Sequence, residues 1–136
     1  MREMAYVDAN IFIFAIENGA KGSDACLDVL DAIARGKTTA TTCALTWDEV
    51  VNSIAKNKGK QAAIAAGEAM LAIPNLKIIP ADRKVITLAQ KILATYGTKP
   101  RDSIHAACAI LAGESEIYSF DSDFDKVKEL KRKEPK

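Results

Sequence analysis

AYVDANIFIFAI, Ala5 to Ile16, is the stretch on which the reading of this chain turns. The apolar run Ala5-Tyr6-Val7 closes on Asp8, and the helical pattern Asn10-Ile11-Phe12-Ile13-Phe14-Ala15-Ile16 follows at once, which reads as strand, turn, helix. An acid therefore stands at a strand end, just ahead of a helix. Three further acidic sites have comparable surroundings. Asp102 opens the helical stretch Ser103 to Ala112, with Pro100 before it and Gly113 after it as start and stop signals. Asp121 and Asp123 follow the short apolar run Ile117-Tyr118-Ser119-Phe120. Glu49 lies three residues after Thr46, a capping-box spacing that begins another helix, and its neighbour Asp48 is an alternative for the functional acid.

The rest of the chain alternates in the same way. Gly19 to Gly22 reads as a loop, after which Ser23 caps a helix that ends before Gly36. Thr38 to Cys43 is a β-branched second strand, Thr46 to about Lys56 is helical, and Gly59 breaks that helix. Gln61 to Ile73 forms an Ala-rich helix stopped by Pro74, and Leu76 to Ile79 is a third strand. Asp82 begins a helix that ends at Gly97, and the Asp102 helix and the Ile117 strand follow. The segment after Phe124 is open between a short helix and a last edge strand. Helices alternating with short apolar strands imply an α/β domain, a parallel sheet covered on both faces. No repeat or composition break divides residues 1–136, so a single domain is expected.

In such sheets the ligand crevice lies beyond the carboxyl ends of the strands, where strand order reverses. Acids gathered there repel one another, and they must take up protons or bind a cation. Oxygen ligands without a cysteine or histidine set suit a hard ion, Mg²⁺ or Mn²⁺. Taken singly, each acid is explained by a helix cap or a dipole contact. Their shared placement carries the metal reading.

Composition sets the outer bounds. With 136 residues, 49% of them hydrophobic, the chain can bury a core unaided. Nineteen basic against eighteen acidic residues leave a net charge of +1, which neither announces nor excludes a nucleic-acid partner. Local basic clusters occur at Lys56, Lys58 and Lys60 and from Lys126 to Lys136, and both read first as solvated surface. Cys26, Cys43 and Cys108 stand in apolar surroundings without a Cys-x-x-Cys spacing, and read as core residues. No signal-type segment opens the sequence and no apolar run approaches the ~20 residues of a membrane span. A cytoplasmic protein without membrane contact is expected. The Ala-rich helix, small or apolar on most sides, asks for burial against its own domain or a second protomer.

Assembled, these residues resemble the PIN-domain ribonuclease family, in particular the small VapC-like toxins of toxin–antitoxin pairs. Tyr6-Val7-Asp8-Ala9-Asn10, Leu45-Thr46-Trp47-Asp48-Glu49-Val50, Arg101-Asp102-Ser103-Ile104-His105-Ala106-Ala107 and Ser119-Phe120-Asp121-Ser122-Asp123-Phe124 match its four acidic blocks in order. The resemblance implies a three-layer α/β/α fold and a Mg²⁺- or Mn²⁺-dependent endonuclease acting on RNA. By position, Asp8, Glu49, Asp102 and Asp121 would serve catalysis, and Asp8, Asp102, Asp121 and Asp123 would hold metal. Asn10 and Ser119 would orient the acids. It further implies an antitoxin partner and, with the Ala-rich helix, a homodimer. Metal ions of this kind activate water and stabilise a leaving oxygen, so no side-chain nucleophile is needed. Arg101 is a candidate phosphate contact. His105, one helical turn after Asp102, is open as an acid or substrate contact, and Trp47 and Tyr96 as stacking surfaces for a base, but all three read first as packing residues.

Two competing readings define what else the pattern admits. A haloacid-dehalogenase-type phosphatase needs Asp-x-Asp after strand one, and Asn10 stands where the second acid belongs. A PIN-like module that binds RNA or protein without catalysis is the other, and retention of all four acidic sites weighs against it.

Overall fold

The computed structural model describes residues 3–17 and 22–136, so the loop expected at Gly19–Gly22 lies outside the described residues except for Gly22. The elements run β1 (Glu3–Val7), α1 (Ala9–Ile16), α2 (Ser23–Ala34), β2 (Thr38–Cys43), α3 (Ala44–Lys58), α4 (Lys60–Leu71), β3 (Leu76–Ile79), α5 (Arg83–Tyr96), α6 (Pro100–Leu111) and β4 (Glu116–Tyr118). A 3₁₀ helix (Ser122–Lys126) and β5 (Lys131–Lys133) complete the chain. All five strands pair in parallel in the order β3-β2-β1-β4-β5. This is the expected three-layer α/β/α architecture.

Strand alternation divides the core in two. Val7 and Ala40 pack with Phe12, Val50, Ile54 and Met70 under α1 to α4. Tyr6 and Ile117 pack with Val85, Ile92, Ala106, Ala109 and Phe124 under α5 and α6. Both faces of β1 are covered, which is why Ala5, Tyr6 and Val7 read as an unbroken apolar run. From β1 the chain lays β2 and β3 on one side, then returns to place β4 and β5 on the other. Strand order therefore reverses between β1 and β4, and the carboxyl ends of those two strands frame the crevice.

Three local expectations are corrected. Gly22, with φ of 87°, is the N-cap of α2, and Ser23 is its first helical residue, buried, with no side-chain capping bond. The capping box at Thr46 does not form: α3 starts at Ala44, with Cys43 Sγ accepting the Leu45 N–H. Thr46 Oγ1 instead lies 2.7 Å from Thr42 Oγ1, whose own hydrogen goes to the Val7 carbonyl, so Thr46 donates to Thr42. Glu49 consequently sits in the second turn of the helix. Nor is the C-terminal basic run a solvated tail, since Lys131–Lys133 forms the edge strand and Arg132 is salt-bridged to Asp125 and Glu134. The Ala-rich helix α4 buries Ala63, Ala66, Gly67 and Met70, yet leaves Ile64 and Leu71 exposed.

Candidate active site

Asp8 leaves β1 into α1 and is held at both carboxylate oxygens. Its Oδ1 accepts the Ala9 N–H at 2.7 Å and its Oδ2 accepts the Ser119 hydroxyl at 2.8 Å. Ser119 follows β4, so this bond spans the point where strand order reverses. The same Ser119 oxygen accepts the Asp121 N–H at 3.0 Å, and Asp121 Oδ1 accepts the Asp123 N–H at 2.9 Å. Asp123 turns the other way: Lys126 lies 2.8 Å from its Oδ1, and its Oδ2 accepts the Lys99 N–H at 2.9 Å. A buried carboxylate thus fixes the turn that delivers Lys99, Arg101 and Asp102.

Asp102 occupies the first turn of α6, with Pro100 at the opening position where a missing N–H is harmless. Its Oδ2 is buried and has no hydrogen-bond partner among the described residues. Burial, the Asp123 carboxyl and the Asp121 charge together push this carboxyl up to about 8. Asp8 is also raised, first by burial, against the pull of His105, Ser119 and the Ala9 amide. Asp123 is lowered: Lys126 and the Lys99 amide outweigh the effect of burial.

Asp8, Asn10, Glu49, Lys99, Arg101, Asp102 and Asp121 line one cavity of about 510 Å³. Asp123 does not line it and reaches it only through Asp102 and the Lys99 turn. Asn10 lines the wall, and among the described residues no hydrogen bond joins its side chain to an acid. Asp48 is exposed, which leaves Glu49 as the acid that α3 presents. Lys99 and Arg101 are exposed cations on the same rim.

His105, which the sequence offers as a pocket contact but which reads first as packing, stands against two of the acids. It is 1% exposed, its Nε2 lies 2.5 Å from Glu49 Oε1 and 3.8 Å from Asp8 Oδ1, and its Nδ1 lies 2.6 Å from the Tyr6 hydroxyl. Burial pulls its pKa down, but Glu49 and Asp8 more than offset this and the net shift is upward. Its spacing, one turn after Asp102 on the same face, is the signal in the sequence that points it toward the pocket. Tyr96 and Trp47 are placed away from the acids: Tyr96 donates to Glu129, and Trp47 packs beside Gly67.

Among the described residues, no three His, Cys, Asp or Glu side chains already stand as a ligand cluster. The donor chemistry nonetheless fits a hard divalent ion. The cavity is lined by carboxylates from four chain segments; one of them, Asp102, also has a buried oxygen without a partner among the described residues, and a cation is what would keep that carboxyl ionised.

A parallel three-layer domain with an acid-lined crevice at its switch point defines a class of α/β folds with acidic sites. Within that class the family is given by a direct match: the family described as "PIN domain" covers residues 5–130, and the chain belongs to it. No curated protein matches the chain significantly. Among solved structures it is similar to VapC20 of Mycobacterium tuberculosis, described as a Sarcin-Ricin loop cleaving toxin, with 15% identity over 93% of this chain and 95% of that one and a TM-score of 0.77. It is similar also to chains of VapBC2 from Rickettsia felis bound to a promoter DNA fragment (19% identity, 98% and 99% covered, TM-score 0.75). The DNA-bound VapBC of Salmonella typhimurium gives 18% identity, 98% coverage of both chains and a TM-score of 0.74. At these identities the likeness concerns the fold. Among the described residues no helix is long and apolar enough to cross a membrane.

Proposed function

We propose that this chain is a Mg²⁺- or Mn²⁺-dependent endoribonuclease and the toxin of a toxin–antitoxin pair. The observation that carries the nuclease reading is that Asp102, whose buried Oδ2 has no hydrogen-bond partner among the described residues, lines one cavity with Asp8, Glu49 and Asp121. Asp8, Asp102 and Asp121 would hold the metal with Glu49 beside them, while Asp123 acts through Asp102 and the Lys99 turn. When bound, the ion supplies an acidified water and offsets charge on the leaving oxygen. The protein supplies position. Ser119 and the Ala9 amide fix the Asp8 rotamer, and Lys99 and Arg101 meet substrate phosphates on the open side of the cavity. RNA as the substrate follows from the acidic-block resemblance and accords with the description of the Mycobacterium tuberculosis neighbour as a loop-cleaving toxin. The VapBC neighbours support an antitoxin partner. The same reading takes the protein as cytoplasmic and homodimeric, the exposed Ile64 and Leu71 of α4 offering apolar surface for association.

The test is cleavage of fluorescent single-stranded and hairpin RNAs with Mg²⁺, Mn²⁺ or EDTA. Metal-dependent cutting is expected, abolished in Asp8→Asn and Asp102→Asn proteins that remain folded by circular dichroism. Absence of cutting under every metal condition by folded wild-type protein would overturn the reading.

A further inference from the structure

Both nitrogens of the buried His105 ring are engaged, one by the Tyr6 hydroxyl and one by Glu49. An ionised carboxylate only accepts hydrogen bonds, so the hydrogen between His105 and Glu49 belongs to Nε2. That holds whichever hydrogen the Tyr6–Nδ1 contact uses. Tyr6 and His105 are almost wholly enclosed, whereas the Glu49 side chain is 21% exposed. The rigid partners are thus two core rings, and the mobile partner is a long carboxylate at the cavity mouth. Untethered, Glu49 retains its rotamer freedom and can swing to solvent.

Building on the nuclease reading, we propose that His105, braced by Tyr6, is a positioning residue that holds the Glu49 carboxylate toward the acid-lined cavity and thereby strengthens divalent-ion binding. Its Nε2–H also stands between Glu49 and Asp8, which softens the repulsion of two carboxylates that must share one space. Partners that orient metal ligands typically contribute 10- to 100-fold in affinity. Asp8 is steadied by a hydroxyl and a backbone amide, and Glu49 by this ring.

The experiment measures Mn²⁺ affinity by calorimetry for wild type, His105→Leu, His105→Gln, Glu49→Gln and the His105→Leu/Glu49→Gln double variant. His105→Leu is expected to weaken binding about 10- to 100-fold, and His105→Gln, whose amide N–H₂ reaches toward the place of Nε2, to recover most of that loss. In the Glu49→Gln background the leucine substitution should add little. His105 is the only histidine, so ¹⁵N-histidine labelling isolates its ring, and an exchange-protected Nε2–H signal is expected in metal-free wild type and less protected in Glu49→Gln, whose uncharged amide oxygen is the weaker acceptor. Should His105→Leu fail to fold, Tyr6→Phe keeps the ring and removes only the brace, and a few-fold weaker Mn²⁺ binding with faster Nε2–H exchange is expected. Equal losses with and without Glu49, or unchanged affinity in a merely less stable His105→Leu protein, overturn the positioning role alone. Wild type that binds no Mn²⁺ at all removes the metal reading and this role together.

Discussion

Asp102 concentrates the electrostatic tension of the site in one side chain. Its folded-state pKa is raised from 3.8 to about 8, chiefly by burial and by its acidic neighbours, so the folded protein holds this proton more tightly than the unfolded chain. The resulting stability is fully present below about pH 4 and is lost as pH rises through about 8. Asp102→Asn removes the tension. In EDTA the variant should unfold at a higher temperature than its parent at pH 9, by the equivalent of about 1–2 kcal/mol once screening of this half-buried group is allowed for, and the gap should close below pH 4. Saturating Mn²⁺ should reverse the order, because only the parent keeps the ligand. Thermal melts across pH check both signs, and a parent that is the more stable at pH 9 in EDTA would refute the assignment. Ser119→Ala tests the opposite kind of residue. It strips a charge-assisted bond from buried Asp8, for an expected loss of about 1.5–3 kcal/mol in urea unfolding.

At the scale of elements, the α3–α4 hairpin rests on one close approach. A Cβ at Gly67 would meet Trp47 Nε1 at 3.1 Å and Val51 Cγ2 at 3.2 Å. Alanine there gains about 1 kcal/mol of helix propensity, but Val51 is stiff at χ1 and sits in a regular helix, so the two helices must part by a few tenths of an ångström. A net loss of about 0.5–1.5 kcal/mol is expected for Gly67→Ala, with a shift in the emission of Trp47, the only tryptophan. Unchanged emission would show that the contact yields freely. The sequence disclosed elements wherever local chemistry decides them. The β-branched Thr38–Cys43 and Leu76–Ile79 gave their strands with correct bounds, and Asp82 and Gly97 cap α5 as their residue types demand. It concealed them wherever a remote partner decides. Thr46 hydrogen-bonds to Thr42 on the strand before it rather than capping α3, and Lys131-Arg132-Lys133 has no apolar pattern to mark a strand. Asp8, Asp102 and Asp121 were legible because strand ends and helix starts carry them to the cavity, whereas Glu49 reaches it from the second turn of α3. The contacts of His105 were not legible, since its partners stand 56 and 99 positions away.

Over the whole molecule, the edge strand supports the central crevice. The Lys133 carbonyl accepts the Ser119 N–H at 3.0 Å, and Arg132 Nη1 donates to the Ser119 carbonyl at 3.2 Å. Ser119 in turn holds Asp8, so the path from β5 to the foremost acid is two residues long. Arg132 itself is forked: Nε and Nη2 reach the two oxygens of Asp125, and Nη1 reaches Glu134. Planarity lets one guanidinium meet all of these acceptors at once, which a lysine ammonium cannot do. Arg132→Lys keeps the charge and loses the fork. It should therefore lower stability by about 1–2 kcal/mol and weaken Mn²⁺ binding, although residue 132 lies outside the cavity, while Arg132→Met should do scarcely worse. Urea unfolding and calorimetry on the two variants separate charge from geometry. A lysine variant indistinguishable from its parent would mean that net charge alone matters at this edge, and that the carbonyl of Ser119 needs no brace.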